Sequence, residues 1–241
     1  MYGIRKGALT ALALVMLAGS LDAKGSIKGT VKYEGKVPKM KVIRMGADPI
    51  CDAKHDSPAR AEWFLAGPDG ELKNVFVYVK EGLKGDYPAP SEAAVIDQNG
   101  CVYKPHVLGV QVGQPINILN SDGTLHNVHA LPKKKGNDKF NEAMPGARKK
   151  ITKKFNTPEI MVRIKCDVHP WMGARIGVVD HPFYAVTAED GSYEIKGLPV
   201  GTYTIEVWHE KLPAKTATVT VKGDETVTSD FTLKRPPKKK K

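Results

Sequence analysis

The chain has 241 residues, 41% hydrophobic and 26% charged, which is a globular balance and excludes both a fully disordered chain and a polytopic membrane protein. Its 23 glycines and 17 prolines form a turn-rich inventory that disfavours a helical bundle. The net charge of +11 attracts acidic partners, anionic lipid or nucleic acid, without choosing among them.

Residues 1–23 combine Arg5 and Lys6, an uninterrupted apolar or small stretch from Gly7 to Ser20, and the small residues Ala18, Ser20 and Ala23. This is the pattern of a cleaved secretory signal, too short to span a bilayer, and Ser20 and Leu21 stand where a lipidation cysteine would follow Leu17-Ala18-Gly19. A soluble periplasmic or secreted location is expected, with no integral membrane segment after cleavage. Loss of Arg5, Lys6 and Asp22 lowers the charge to +10. Export also governs the three cysteines, since thiols in an oxidising compartment pair or hold a metal. If Cys51 and Cys101 form a disulfide, Cys166 is left over and needs a reason to stay reduced.

Short β-type runs follow in order. Ser26–Tyr33 alternates, Asn74–Val79 is apolar and β-branched, and Val107–Leu119 alternates around Gly109 and Gly113. Residues 132–158 are lysine-rich and broken by Pro132, Gly136, Pro145, Gly146 and Pro158, the composition of a long connection with little buried surface. Near the C-terminus Ser192–Ile195, Thr202–Trp208 and Thr216–Val221 repeat at strand spacing with Gly or Pro between them, as in a sandwich. Residues 235–241 form a basic tail of disordered composition. The expected fold class is all-β. No phosphate loop or zinc-finger spacing is present, so nucleic acid is not an expected partner.

The chemistry concentrates in Cys166-Asp167-Val168-His169-Pro170-Trp171-Met172, preceded about forty residues earlier by Asn120-Ser121-Asp122-Gly123-Thr124-Leu125-His126-Asn127-Val128-His129. A thiolate, two imidazoles and a thioether suit copper in both oxidation states, and a trigonal His₂Cys set with a weak axial Met describes a blue-copper electron-transfer site. Cys, His and Met at i, i+3 and i+6 converge from one tight loop, a spacing that chance supplies roughly 0.003 times in a chain of this composition. A Cys-His nucleophile pair is the rival chemistry, but no orienting acid or oxyanion loop is evident.

These two segments, with Val107–Gln114 before them, resemble the copper-binding core of the cupredoxins, the short Cys-x₂-His-x₂-Met loop being closest to amicyanin. The resemblance covers about residues 93–180 and implies a Greek-key β-sandwich holding one type 1 copper ion. It places His126, Cys166, His169 and Met172 as ligands, and Asn127 as the residue that ties the two ligand loops together. It also implies an exposed apolar rim at His169, where electrons leave, with Pro170 and Trp171 as a docking surface. The basic residues Lys133, Lys134, Lys135, Lys149, Lys150, Lys153 and Lys154 would steer an acidic redox partner to a monomeric, non-enzymatic carrier. His129 is expected to be structural or on the surface, His106, His181 and His209 to pack or hydrogen-bond, and His55 carries no signal.

Phe183–Ile205 resembles the second half of a carboxypeptidase-regulatory-like, transthyretin-type β-sandwich, and Ser26–Lys39 with Asn74–Val79 resembles its opening strands. The resemblance implies a smaller sandwich split into 24–92 and 182–234, with a copper domain at 93–181 inserted and a Cys51–Cys101 bond stapling the two. Two further functions stay open from the same residues: a copper carrier or sensor, and a cell-envelope interaction module.

Overall fold

The computed structural model describes residues 23–236; the secretory-signal reading, and all of the basic tail beyond residue 236, fall outside them. The fold is all-β, with one short helix, Pro49–Asp52, among the described residues. No helix among the described residues is long and apolar enough to cross a membrane.

Two sandwiches share the chain. In the first, Lys24–Glu34 pairs antiparallel with Ser192–Pro199, and on its other edge parallel with Thr226–Thr228 and Phe231–Lys234. The facing sheet runs Tyr184–Val186, Phe76–Glu81, Gly201–His209, Leu212–Val221. Gly201–His209 shows why the pattern folds this way: alternate residues Tyr203, Ile205, Val207 and His209 are buried and the residues between them are not. They meet Ile27, Val31, Ile195 and Leu198 from the opposite sheet.

The second sandwich has a five-stranded sheet ordered Phe140–Met144, His126–Leu131, Glu159–Lys165, Gly173–Val179, Val107–Gln111, the last pair being parallel. Its partner sheet is ordered Lys150–Lys153, Ile116–Asn120, Ala94–Gln98, Tyr103–Lys104. Ile96, Ile116, Ile118, Val128, Val162, Ile164, Ile176 and Val178 fill the space between.

The two units meet at a flat spot. Gly109 and Gly177 are register partners on adjacent strands, and the rings of Phe76 and Tyr184 from the other sandwich press onto them. A Cβ at Gly109 would lie 2.3 Å from Tyr184, and one at Gly177 2.7 Å from Phe76. Only glycine permits that approach.

Three sequence expectations are corrected here. Residues 132–158 are not a bare connection: they supply the strands Phe140–Met144 and Lys150–Lys153, one edge for each sheet of the second sandwich. Met144, Ile151 and Phe155 are buried there, while the lysines point outward, as edge strands favour. The turn is organised by buried Glu159, which accepts the backbone N–H groups of Lys133 (2.7 Å) and Lys134 (3.1 Å). The segment 24–92 does not belong wholly to the first sandwich, because Met45 and Cys51 pack into the second core. The Cys51–Cys101 disulfide forms but does not staple the sandwiches together, since both cysteines lie in that second core.

Candidate metal centre

His126 opens the strand His126–Leu131, and Cys166 follows the adjacent strand Glu159–Lys165. Beyond Cys166 the chain doubles back: Met172 N–H donates to His169 O (2.9 Å), and Cys166 N–H donates to Met172 O (3.2 Å). These bonds close a loop that carries Cys166, His169 and Met172 into the core, where they are 2%, 2% and 1% exposed. Asn120 holds the other ligand loop, its amide donating to Thr124 O (2.9 Å) and Met144 O (2.8 Å). Asn127 joins the loops: its side-chain oxygen accepts from Asp167 N–H (2.6 Å) and Val168 N–H (3.3 Å), and the Cys166 sulfur lies 3.2 Å away.

Ligand atoms of His126, Cys166 and His169 all lie within 4.8 Å of one another. The Nδ1 atoms of the two imidazoles are 2.9 Å apart, and His169 Nδ1 is 3.9 Å from Cys166 Sγ. Each ring is anchored through its other nitrogen. His126 Nε2 meets Asp122 Oδ2 at 2.9 Å, and His169 Nε2 meets Asp48 Oδ2 at 2.8 Å. A carboxylate accepts only, so each Nε2 carries a proton and each Nδ1 is turned inward. Two inward Nδ1 atoms at that distance share a proton until a metal displaces it, and with the adjacent sulfur they offer three donors to one cation.

Both carboxylates are fixed by backbone beside the disulfide. Asp48 caps the helix Pro49–Asp52, its other oxygen accepting from Ile50 N–H (3.0 Å) and Cys51 N–H (3.2 Å). Asp122 accepts from Gly100 N–H (2.7 Å) and Cys101 N–H (2.8 Å). Gly100 and Cys101 have φ of 71° and 51°, successive left-handed residues that aim both N–H groups at one anion. Lys54 adds an ammonium 3.3 Å from the same carboxylate.

The electrostatics follow from these contacts. Burial opposes ionisation of Asp122, but His126, the two N–H groups and Lys54 outweigh it and hold its pKa at about 2. Burial also opposes charging of His126; Asp122 and Cys166 prevail and raise its pKa to about 9. Burial raises the Cys166 pKa, while His126 and neighbouring backbone N–H groups bring it below the ordinary thiol value. A thiolate beside a cation is thereby favoured.

His169 does not form an exposed rim. It is buried under Asp48 and the disulfide, with Cys51 Sγ 3.6 Å from its Nε2. Pro170 is exposed. Trp171 is half-buried, donating its indole N–H to Cys101 O (3.0 Å), with its ring 5.0 Å from that of His169.

The other histidines lie apart from the centre. His129 Nδ1 is 2.9 Å from Asp167, His106 bridges Gly173 O and Glu210, His181 pairs with Val79 O, and His55 pairs with Gly100 O. His209 is buried against Phe64. The sequence reading missed Asp48 and Asp122. Asp122 sits four residues before His126, a spacing that hints at the contact; Asp48 is 121 residues from His169 and carries no local signal.

Against this geometry, known proteins show two likenesses. A carboxypeptidase regulatory-like domain matches residues 164–234. The match begins inside the strand Glu159–Lys165 and takes in the 166–172 loop, which fold with the second sandwich, before continuing through the strands of the first. Among solved structures, the Cu(I) form of a methionine-to-alanine mutant of amicyanin is 21% identical, with a TM-score of 0.33 over 44% of this chain and 98% of its own. A purple cupredoxin from Nitrosopumilus maritimus is 18% identical, with a TM-score of 0.29 over 35% of this chain and 98% of its own. A Cu-containing nitrite reductase from Thermus scotoductus SA-01 is 22% identical, with a TM-score of 0.33 over 42% of this chain; the match spans a quarter of that enzyme's length. No curated protein matches.

Proposed function

We propose that the protein is an exported single-electron carrier in which His126 Nδ1, His169 Nδ1, Cys166 Sγ and the Met172 sulfur would hold one copper ion. The convergence of the two Nδ1 atoms, 2.9 Å apart beside a buried sulfur, carries this reading. The donors fit the metal: imidazole serves both oxidation states and sulfur favours the reduced one. Bound copper supplies reversible one-electron chemistry. The chain's own residues exclude water, fix both rings through Asp48 and Asp122, and hold Asn127 against the sulfur, which restrains the geometry between oxidation states.

A nucleophilic thiol is the other reading. Asp48 is an orienting acid for His169 that the sequence does not disclose, so a Cys-His-Asp alignment exists. It lacks access: Cys166 is 2% exposed, and a second imidazole faces the first. The electron-carrier reading therefore includes no substrate transformation. Its redox partner is acidic, drawn by the outward lysines of residues 133–154, and the encounter is weak and salt-sensitive.

Titration of the purified chain with Cu(II), followed by visible absorption and EPR, tests this. An intense thiolate-to-copper band that disappears in Cys166→Ala supports the reading; a colourless protein that takes zinc equally well overturns it.

A further inference from the structure

A cleft of about 380 Å³ lies where the two sandwiches meet, and Trp171, whose ring is 5.0 Å from that of His169, lines it. Its volume is that of a small-molecule site. Two indoles, Trp63 and Trp171, line it, and its five arginines and lysines outnumber its two carboxylates, Glu62 and Glu210.

Lys165 pairs with Asp167 outside the cleft, and Arg60 donates to Met40 O (3.1 Å). Glu210 is shared by Arg175 (3.1 Å), His106 (2.9 Å) and Lys211 (3.4 Å). Arg163 is the direct cross-strand partner of Arg175, and both line the cleft. Like charges directly opposite on one face repel, yet the Arg163 guanidinium has no ion pair or side-chain hydrogen bond among the described residues. An unpaired planar fork beside a second one is the geometry that grips a carboxylate. Indole walls add a surface for a flat ring and for stacking.

We propose that this cleft binds a small aromatic carboxylate, its anionic end between Arg163 and Arg175 and its ring against Trp171. A ring seated there is one indole away from His169, whose own edge Asp48 covers. The binding does not depend on the copper reading.

The test uses the full chain, free of metal, and follows tryptophan fluorescence and calorimetry. The probes are 4-hydroxybenzoate, 4-hydroxybenzyl alcohol, which lacks the charge, and acetate, which lacks the ring. The benzoate is expected to bind and quench, with each control at least ten-fold weaker. Arg163→Gln is expected to weaken benzoate binding at least ten-fold, and Arg163→Lys to recover part of it. Both should melt at the wild-type temperature, because the side chain is exposed. Trp171→Phe, whose loop the backbone bonds still close, should weaken binding without abolishing it. Equal binding of charged and uncharged rings, or an unaltered Arg163→Gln, overturns the proposal. Cys166→Ala separates the two readings: it should keep benzoate binding while losing the copper band.

Discussion

Nδ1 of His126 faces Nδ1 of His169 across 2.9 Å while each Nε2 is tied to an aspartate, so both rings turn Nδ1 inward beside the Cys166 sulfur. Groups outside the ligand set impose that orientation, and they are where the structure is most open to test.

Asp122→Asn removes the anion that fixes the His126 tautomer and turns an amide toward the N–H groups of Gly100 and Cys101. Copper affinity should fall about 10- to 100-fold, the usual cost of losing such a partner. Competition with a Cu(I) chelator measures it. Wild-type affinity in this variant would show that Asp122 does not orient the ring.

Cys51 and Cys101 enclose a 50-residue separation, for which loop-closure entropy gives about 4 kcal/mol of stabilisation. Replacing both by serine should lower denaturant stability by about 2–4 kcal/mol. The same change loosens the backbone that holds Asp48 and Asp122, so the copper EPR spectrum should broaden or shift. An unchanged spectrum in the folded variant would uncouple the disulfide from the centre.

His209 gives a pH dependence. Burial depresses its pKa from 6.5 to about 4, so the folded state keeps it neutral while the unfolded chain takes up a proton below 6.5. Its contribution is complete above pH 6.5 and is lost as pH falls from there toward 4, about 2 kcal/mol by pH 5. Urea unfolding of metal-free protein at pH 7.5 and 5 should show this loss, and His209→Gln should reduce the slope whatever its absolute stability. Identical slopes in the two proteins would count against a buried neutral His209.

Gly109→Val places side-chain atoms where Tyr184 and Phe76 now rest. Calorimetry should show the sandwiches melting in two separated transitions, with copper binding retained because the clash lies on the outer face of the metal-bearing sheet. One cooperative transition at the wild-type temperature would show that the contact between the units tolerates the added volume.

How much of this was legible depends on where each signal lies along the chain. The strands Ser192–Pro199, Gly201–His209 and Leu212–Val221 follow directly from alternation and turn residues. Phe140–Met144 and Lys150–Lys153 were hidden because these edge strands carry polar residues, Asn141 and Glu142 in one and Lys150 and Lys153 in the other, and buried Met144 and Ile151 are too few to set up a period. The short segment Asp48–Cys51 has no pattern at all, and its place is known only once the disulfide and the His169 contact are seen.

Taken by itself, the order of residues determined the all-β class and the grouping of Cys166, His169 and Met172, because periodicity and a seven-residue loop are properties of neighbouring positions. Only the tertiary structure decided which nitrogen of each imidazole faces inward, that His169 is covered, and that a cationic cleft borders Trp171. Ring orientation and access are set by side chains brought together from distant parts of the chain, such as Asp48 against His169 and Arg175 against Glu210, and spacing along the chain holds no record of those meetings.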